Sequence, residues 1–202
     1  VADVLEAVDR GRPDQVLLGG DLVDTPSELP ALRALVAALN FNVFHKYADR
    51  VRMTNIAQMV NVLQAMILTD KKNMLLTPTY HVFKMYVPFQ GSTHLPVEIR
   101  NNPNYSLAEL SAPQVSASSA KTADGEIVLA LTNINPHTDI EISIEGQWKS
   151  AEGTLLGGDK MDAHNTFEQK QNVIPKTLRA EQKGKTLSIT LPAKSVATLF
   201  LK

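Results

Sequence analysis

Residues 50–86, RVRMTNIAQMVNVLQAMILTDKKNMLLTPTYHVFKMY, form the densest apolar block in the chain, and their reading decides the fold. Ile56, Met59, Val60, Leu63, Met66 and Ile67 fall at the i, i+3, i+4, i+7 spacing of a helix that faces a core. Just upstream, Val51 and Met53 alternate with Arg50, Arg52 and Thr54, the period of a strand. The expectation is a strand that gives way to a helix near Asn55. Further on, Thr77 and Pro78 open a second helix. The threonine hydroxyl can cap a free N–H, and proline at the first helical position forfeits no hydrogen bond. Tyr80, Phe83, Met85 and Tyr86 supply its bulk.

Upstream of this block, Leu32, Leu35, Val36, Leu39, Val43 and Phe44 share one face of a helix that starts near Glu28 and runs through residues 45–50. Ser27 and Pro30 open it. Before it, Val4, Leu5 and Val8 sit at helical spacing, Gly11 and Pro13 end that segment, and residues 16–18 read as a buried strand. Residues 19–24, GGDLVD, follow that strand directly. A carboxylate after glycines at a strand end, here Asp21, is placed to reach a metal ion or a phosphate.

Downstream of His94 the texture changes to short alternating runs, as in an antiparallel β-sandwich. Ile127, Leu129 and Leu131 make one such run. Ile140, Ile142 and Ile144 make a second, and Leu187, Ile189 and Leu191 a third; each is expected to bury one face. Asp124 with Gly125, and Gly184, supply the positive φ that tight hairpins need. Residues 101–104 read as a loop, and residues 157–172 as a long polar one. In the latter, Asp162, His164 and Glu168 lack ligand-grade spacing and read as loop braces. With aromatic residues at 5 % and a single tryptophan, Trp148, the sandwich lacks the platforms of a sugar-binding module.

The 202 residues, 44 % of them hydrophobic, suffice for one or two domains with a true core. A balance of 20 basic against 21 acidic residues gives a net charge of −1 and no basic field for nucleic acid or polybasic patch for membranes. The chain has no cysteine, which excludes disulfides and thiolate metal sites. It begins at Val1 and reads as a partial or processed sequence.

Residues 48–70, ADRVRMTNIAQMVNVLQAMILTD, with residues 75–86, LLTPTYHVFKMY, resemble the C-terminal third of the α-L-arabinofuranosidases of glycoside hydrolase family fifty-one. The similarity extends through NFNVFHKYADRV at 40–51 and KMDAHNTFEQ at 160–169, and covers about residues 32–202. Residues 1–31 more weakly resemble the second motif of calcineurin-like metallophosphoesterases, which would make Asp21 a metal ligand. The partner motifs of that site are absent, so Asp21 reads as a turn residue, and no cofactor is expected.

The resemblance implies an α+β chain: the end of a (β/α)8 barrel, residues 32–90, followed by an antiparallel β-sandwich, residues 91–202. It also implies a retaining glycosidase acting on terminal arabinofuranosyl groups of arabinan or arabinoxylan. The partner would be an arabinose-containing oligosaccharide or polysaccharide, with homo-oligomerisation left open. Both catalytic glutamates of the family would lie before Leu32, and the chain holds no Asn-Glu pair, so no catalytic residue is assigned here. Gln58, the last residue of NIAQ, matches the position at which the family places a glutamine against the sugar. The residue type fits, since a neutral amide bonds hydroxyls without adding charge beside paired carboxylates. The alternative is a non-catalytic sandwich protein fused to a phosphoesterase-like start. The compartment is left open between cytoplasmic and periplasmic or secreted.

Overall fold

The computed structural model describes residues 15–18, 30–56, 59–62 and 65–202. The expected helix at residues 4–8, and residues 19–24, lie outside them. Strand β1 (Gln15–Leu18) falls on the expected strand, helix α1 (Pro30–Lys46) follows, and β2 (Met53–Ile56) pairs with β1 in parallel, from Gln15↔Met53 to Leu18↔Ile56. Parallel neighbours need a crossover, and α1 provides it. The helix stops at Lys46, short of the expected residue 50. There Tyr47 N turns back to Phe44 O (3.1 Å) and Ala48 N to His45 O (3.2 Å), closing tight three-residue turns.

The helix expected over residues 56–67 does not form. Residues 59–62 are a loop, and β3 (Ile67–Asp70) with β4 (Asn73–Leu76) makes an antiparallel hairpin. The helical spacing was coincidental: Met59 and Val60 are 56 % and 42 % exposed and form no core face. Asn61 takes φ +59° and Lys71, in the hairpin turn, φ +53°; both are left-handed values that no right-handed helix admits. Helix α2 (Pro78–Met85) begins where Thr77 and Pro78 place it, the Thr77 hydroxyl accepting from Tyr80 N at 3.4 Å. A 3₁₀ turn at Val87–Phe89 leads into the sandwich.

The sandwich strands are β5 (Thr93–Leu95), β6 (Asn104–Leu107), β7 (Leu110–Pro113), β8 (Val115–Lys121), β9 (Ile127–Asn133), β10 (Ile140–Ile144), β11 (Ala151–Gly157), β12 (Lys176–Arg179), β13 (Glu181–Lys183), β14 (Thr186–Leu191) and β15 (Ser195–Leu201). A six-stranded sheet runs β12-β11-β15-β9-β8-β5 and a three-stranded one β10-β14-β13; β6 and β7 form a separate hairpin. Gly153 lets β11 and β15 approach, since a Cβ there would lie 1.9 Å from Thr198 O.

One core lies between the sheets: Leu129, Leu131, Leu199 and Leu201 from the larger meet Leu187, Ile189, Leu191 and Ile144 from the smaller. A second core lies on the opposite face of the larger sheet, where Val128, Ala130 and Val196 meet Ala34, Leu35 and Ala38 of α1 and Val82 and Met85 of α2. Strand β9 is therefore buried on both faces, not on one as its alternation suggested. The face of α1 on the sheet is also its alanine side; Leu32, Val36, Leu39 and Val43 are only half-buried. Small residues let the helix lie close to the sheet; Leu35 and Phe44 are buried as well.

Candidate functional site

In β/α arrangements, ligand-contacting groups project from the C-terminal ends of parallel strands, here the end of β2. Gln58 and Asp21, the two residues singled out from the sequence, lie outside the described residues. What the structure describes is how the chain just after Gln58 is held. Met59 O accepts from Met66 N and Ile67 N (both 3.1 Å), and Asn61 N donates to Ile67 O (3.0 Å). The Asn61 side chain makes a reciprocal pair with Thr69: Nδ2 donates to Oγ1 at 2.7 Å, and Thr69 N donates to Oδ1 at 2.6 Å. Thr77 ties down the far end of the loop, its N–H reaching Met66 O (3.0 Å) and its hydroxyl Ala65 O (2.9 Å).

The long sandwich loop reaches the same hairpin. Asn165, only 5 % exposed, donates to Leu76 O and Val173 O (both 3.0 Å) and accepts from Val173 N (2.6 Å). Neither Asn61 nor Asn165 was singled out from the sequence, although both lie inside the stretches that carry the family resemblance. Side chains that bond only backbone or one hydroxyl leave no spacing signal. His164 Nδ1 sits 2.8 Å from Asp162 O, a bond within the loop itself. Among the described residues no group of three or more His, Asp or Glu side chains is placed to hold a metal ion.

A polar seam joins the helices to the larger sheet. Tyr86 OH donates to Asn42 Oδ1 (2.8 Å), Asn42 Nδ2 donates to Ser116 Oγ (3.1 Å), and His45 Nδ1 shares a 2.7 Å hydrogen bond with Ser118 Oγ. The His45 ring stacks on Phe89, with centroids 4.4 Å apart. Burial, helped by the charge of His94, lowers the His45 pKa to about 4, so its imidazole is neutral near pH 7. Burial likewise raises the Tyr86 phenol well above its usual range, with its hydrogen bonds acting in the opposite sense. Neutral groups that satisfy one another suit an internal joint, not acid–base chemistry.

The family model described as the α-L-arabinofuranosidase C-terminal domain matches residues 29–195. The chain belongs to that family. The chain is 43 % identical over 173 residues to an intracellular exo-α-L-arabinofuranosidase of Bacteroides ovatus, covering 84 % of this chain and 34 % of that protein. It also superposes on the family fifty-one arabinofuranosidase of Xanthomonas axonopodis pv. citri with a TM-score of 0.83 and 41 % identity, covering 90 % of this chain and 38 % of that one. A family fifty-one α-L-arabinofuranosidase of Thermotoga petrophila shares the fold at 21 % identity and a TM-score of 0.75, over 100 % of this chain and 47 % of its own. The chain thus spans about a third of the length of the Bacteroides relative.

Proposed function

We propose that this chain is the C-terminal part of a retaining α-L-arabinofuranosidase that removes terminal arabinofuranosyl residues from arabinan or arabinoxylan. A retaining mechanism needs two carboxyl groups about 5 Å apart, one as nucleophile and one as acid/base. No residue of this chain is assigned either role; both are expected from barrel strands that precede Leu32 in the family. The part of residues 32–90 is to complete the barrel and present Gln58 to the sugar, and that of residues 91–202 is to seal the barrel from below. Asp21 is given no metal-binding role, because the partner motifs of a two-metal site are missing from the sequence.

The observation that supports this reading best is the extent of the family match. It covers residues 29–195, and so takes in the end of β2 and its loop as well as the sandwich.

The test is a chimera in which residues 29–195 replace the corresponding part of the Bacteroides ovatus enzyme, assayed on an aryl α-L-arabinofuranoside. In that chimera Gln58→Ala should lower kcat/KM by about one to two orders of magnitude, the loss of one or two hydrogen bonds to the sugar. Unchanged kinetics would remove Gln58 from the site.

A further inference from the structure

We propose that the notch beside β14, where β13 gives out and the chain crosses from the larger sheet to the smaller, is a binding site for one neutral sugar unit of an arabinose-containing glycan. The kind of sugar rests on the reading of the substrate given above. The site itself is built from the sandwich.

The notch follows from the strand register. β13 turns into β14 through two residues, Gly184 and Lys185, so Lys183 and Thr186 close the hairpin as a hydrogen-bonded pair. Alternation makes Glu181 and Ser188 the next such pair and turns the N–H and C=O of Thr190 to the same side. The ladder stops at Glu181, because the residues before it belong to the larger sheet. Ala180 N donates to Ala151 O at 2.8 Å, and Arg179 pairs with Glu152 of β11. Thr190 is thus left with a donor and an acceptor that meet no strand on that side. Beside it lies a cavity of about 220 Å³, lined by the apolar Leu178 and Ile189 and by Arg179, Glu181, Lys183 and Ser188.

The charges select a neutral guest. Arg179 and Lys202 share Glu152 (3.5 and 3.7 Å), Lys183 pairs with Glu141, and Glu181 adds a third carboxylate. Cations and acids balance, and no net field draws in an ion. The pairs also hold the cations in place without exhausting them. Arg179 uses Nε and keeps its terminal N–H groups, and an ammonium has three donors. Ser188 Oγ donates to Glu141 at 2.8 Å and fixes that carboxylate in turn.

A sugar hydroxyl donates and accepts at once. Neighbouring hydroxyls therefore match a strand edge that offers N–H and C=O side by side, with Arg179 as a further donor and Glu181 as a further acceptor. The cavity is smaller than the roughly 300 Å³ at which pockets for drug-sized ligands begin, which suits one ring. No aromatic side chain is among the described residues that line it, so hydrogen bonds hold the ring and binding is expected to be about millimolar. A weak site of this kind acts by tethering: a polymer held at the sandwich meets the rest of the enzyme at a raised effective concentration, while a small substrate gains nothing.

The test is a titration of the ¹⁵N-labelled 202-residue chain with arabinotriose. The amides of Thr190 and Glu181 should shift and saturate at about millimolar concentration. Arg179→Ala and Glu181→Gln, both at exposed positions, should each weaken binding by about fivefold or more, and Lys160→Ala in the long loop should leave it unchanged. No shift at these amides up to about 50 mM, or shifts that survive both substitutions, would overturn the proposal. So would shifts at the same amides with tetra-alanine and none with arabinotriose, which would make the notch a strand edge for a peptide.

The titration needs no turnover, so its outcome is separate from that of the Gln58 assignment. In the chimera with the Bacteroides ovatus barrel, Arg179→Ala should raise KM for arabinan about threefold or more and leave kcat/KM on the aryl arabinofuranoside unchanged. Equal losses on both substrates, or none on either, would overturn the tethering role. An inactive chimera would count against the proposed function and leave the titration to decide the site.

Discussion

Strand β9 of the sandwich is buried along six of its seven residues, whereas β2, paired with β1, alternates between exposed and half-buried. The first has a partner layer on each face, the helices on one and the small sheet on the other. The second has β1 beside it and leaves Met53 more than half exposed, with Met59 and Met74 close behind it in sequence and equally open. Two parts of one chain thus differ in whether their apolar surface is closed. The sandwich and its helix layer account for the stability of the fold, while the loop after β2 is held by a handful of hydrogen bonds and carries the proposed chemistry.

The comparison is broken most forcefully in the sandwich. Leu199→Ala, at a side chain with 0 % exposure in the core between the sheets, should destabilise the chain by about 2–5 kcal/mol in urea unfolding. A loss below about 1 kcal/mol would mean that the sandwich is not the stable half.

The joint between helices and sheet gives the next effect, and pH reads it. The folded pKa of His45 is depressed to about 4 from an ordinary 6.5, so the unfolded chain binds the extra proton between those values. Its contribution to stability is complete above about pH 6.5, falls as pH drops towards 4, and levels off below that. The span amounts to on the order of 3 kcal/mol. Unfolding free energies of wild type and His45→Gln, compared from pH 7.5 to 3.5, should show a difference that is constant in the upper range and shrinks between 6.5 and 4. Parallel curves would refute the account of the joint.

Around β2 and the loop after it the effects should be smallest. Met53→Ser or Met59→Ser should change stability by no more than about 0.5 kcal/mol, as expected where nothing is packed. A loss of 2 kcal/mol or more at either position, on the order of a core truncation, would erase the contrast.

How much of this was legible in the sequence follows the same division. The sandwich declared itself through period-two alternation, and α2 through Thr77 and Pro78, because both signals are local and the structure satisfies them locally. Burial on the second face of β9 was not legible, since Val128 and Ala130 read as the far side of an alternation until α1 and α2 cover them. The core-facing side of α1 was legible only in part: Leu35 and Phe44 are buried as expected, but the alanines carry little hydrophobic weight in a pattern even though they are what allows close contact. The false helix over residues 56–67 arose because a strand end, an exposed loop and a hairpin happened to place apolar residues about 3.6 apart. The left-handed Asn61 sits inside that span, and it is not a glycine that would have announced itself. Of the candidate site, Gln58 was reached by family resemblance alone, while the Asn61–Thr69 pair that follows it needed coordinates.

The central claim is that this chain supports arabinofuranoside hydrolysis without supplying the carboxylate pair. The most direct measurement sets the purified 202-residue chain beside the chimera carrying the Bacteroides ovatus barrel, each assayed on an aryl α-L-arabinofuranoside. The account predicts turnover by the chimera and none above background by the chain. Turnover that co-purifies with the chain and is lost in a variant with one of its own glutamates replaced, Glu109→Gln or Glu126→Gln, would contradict it.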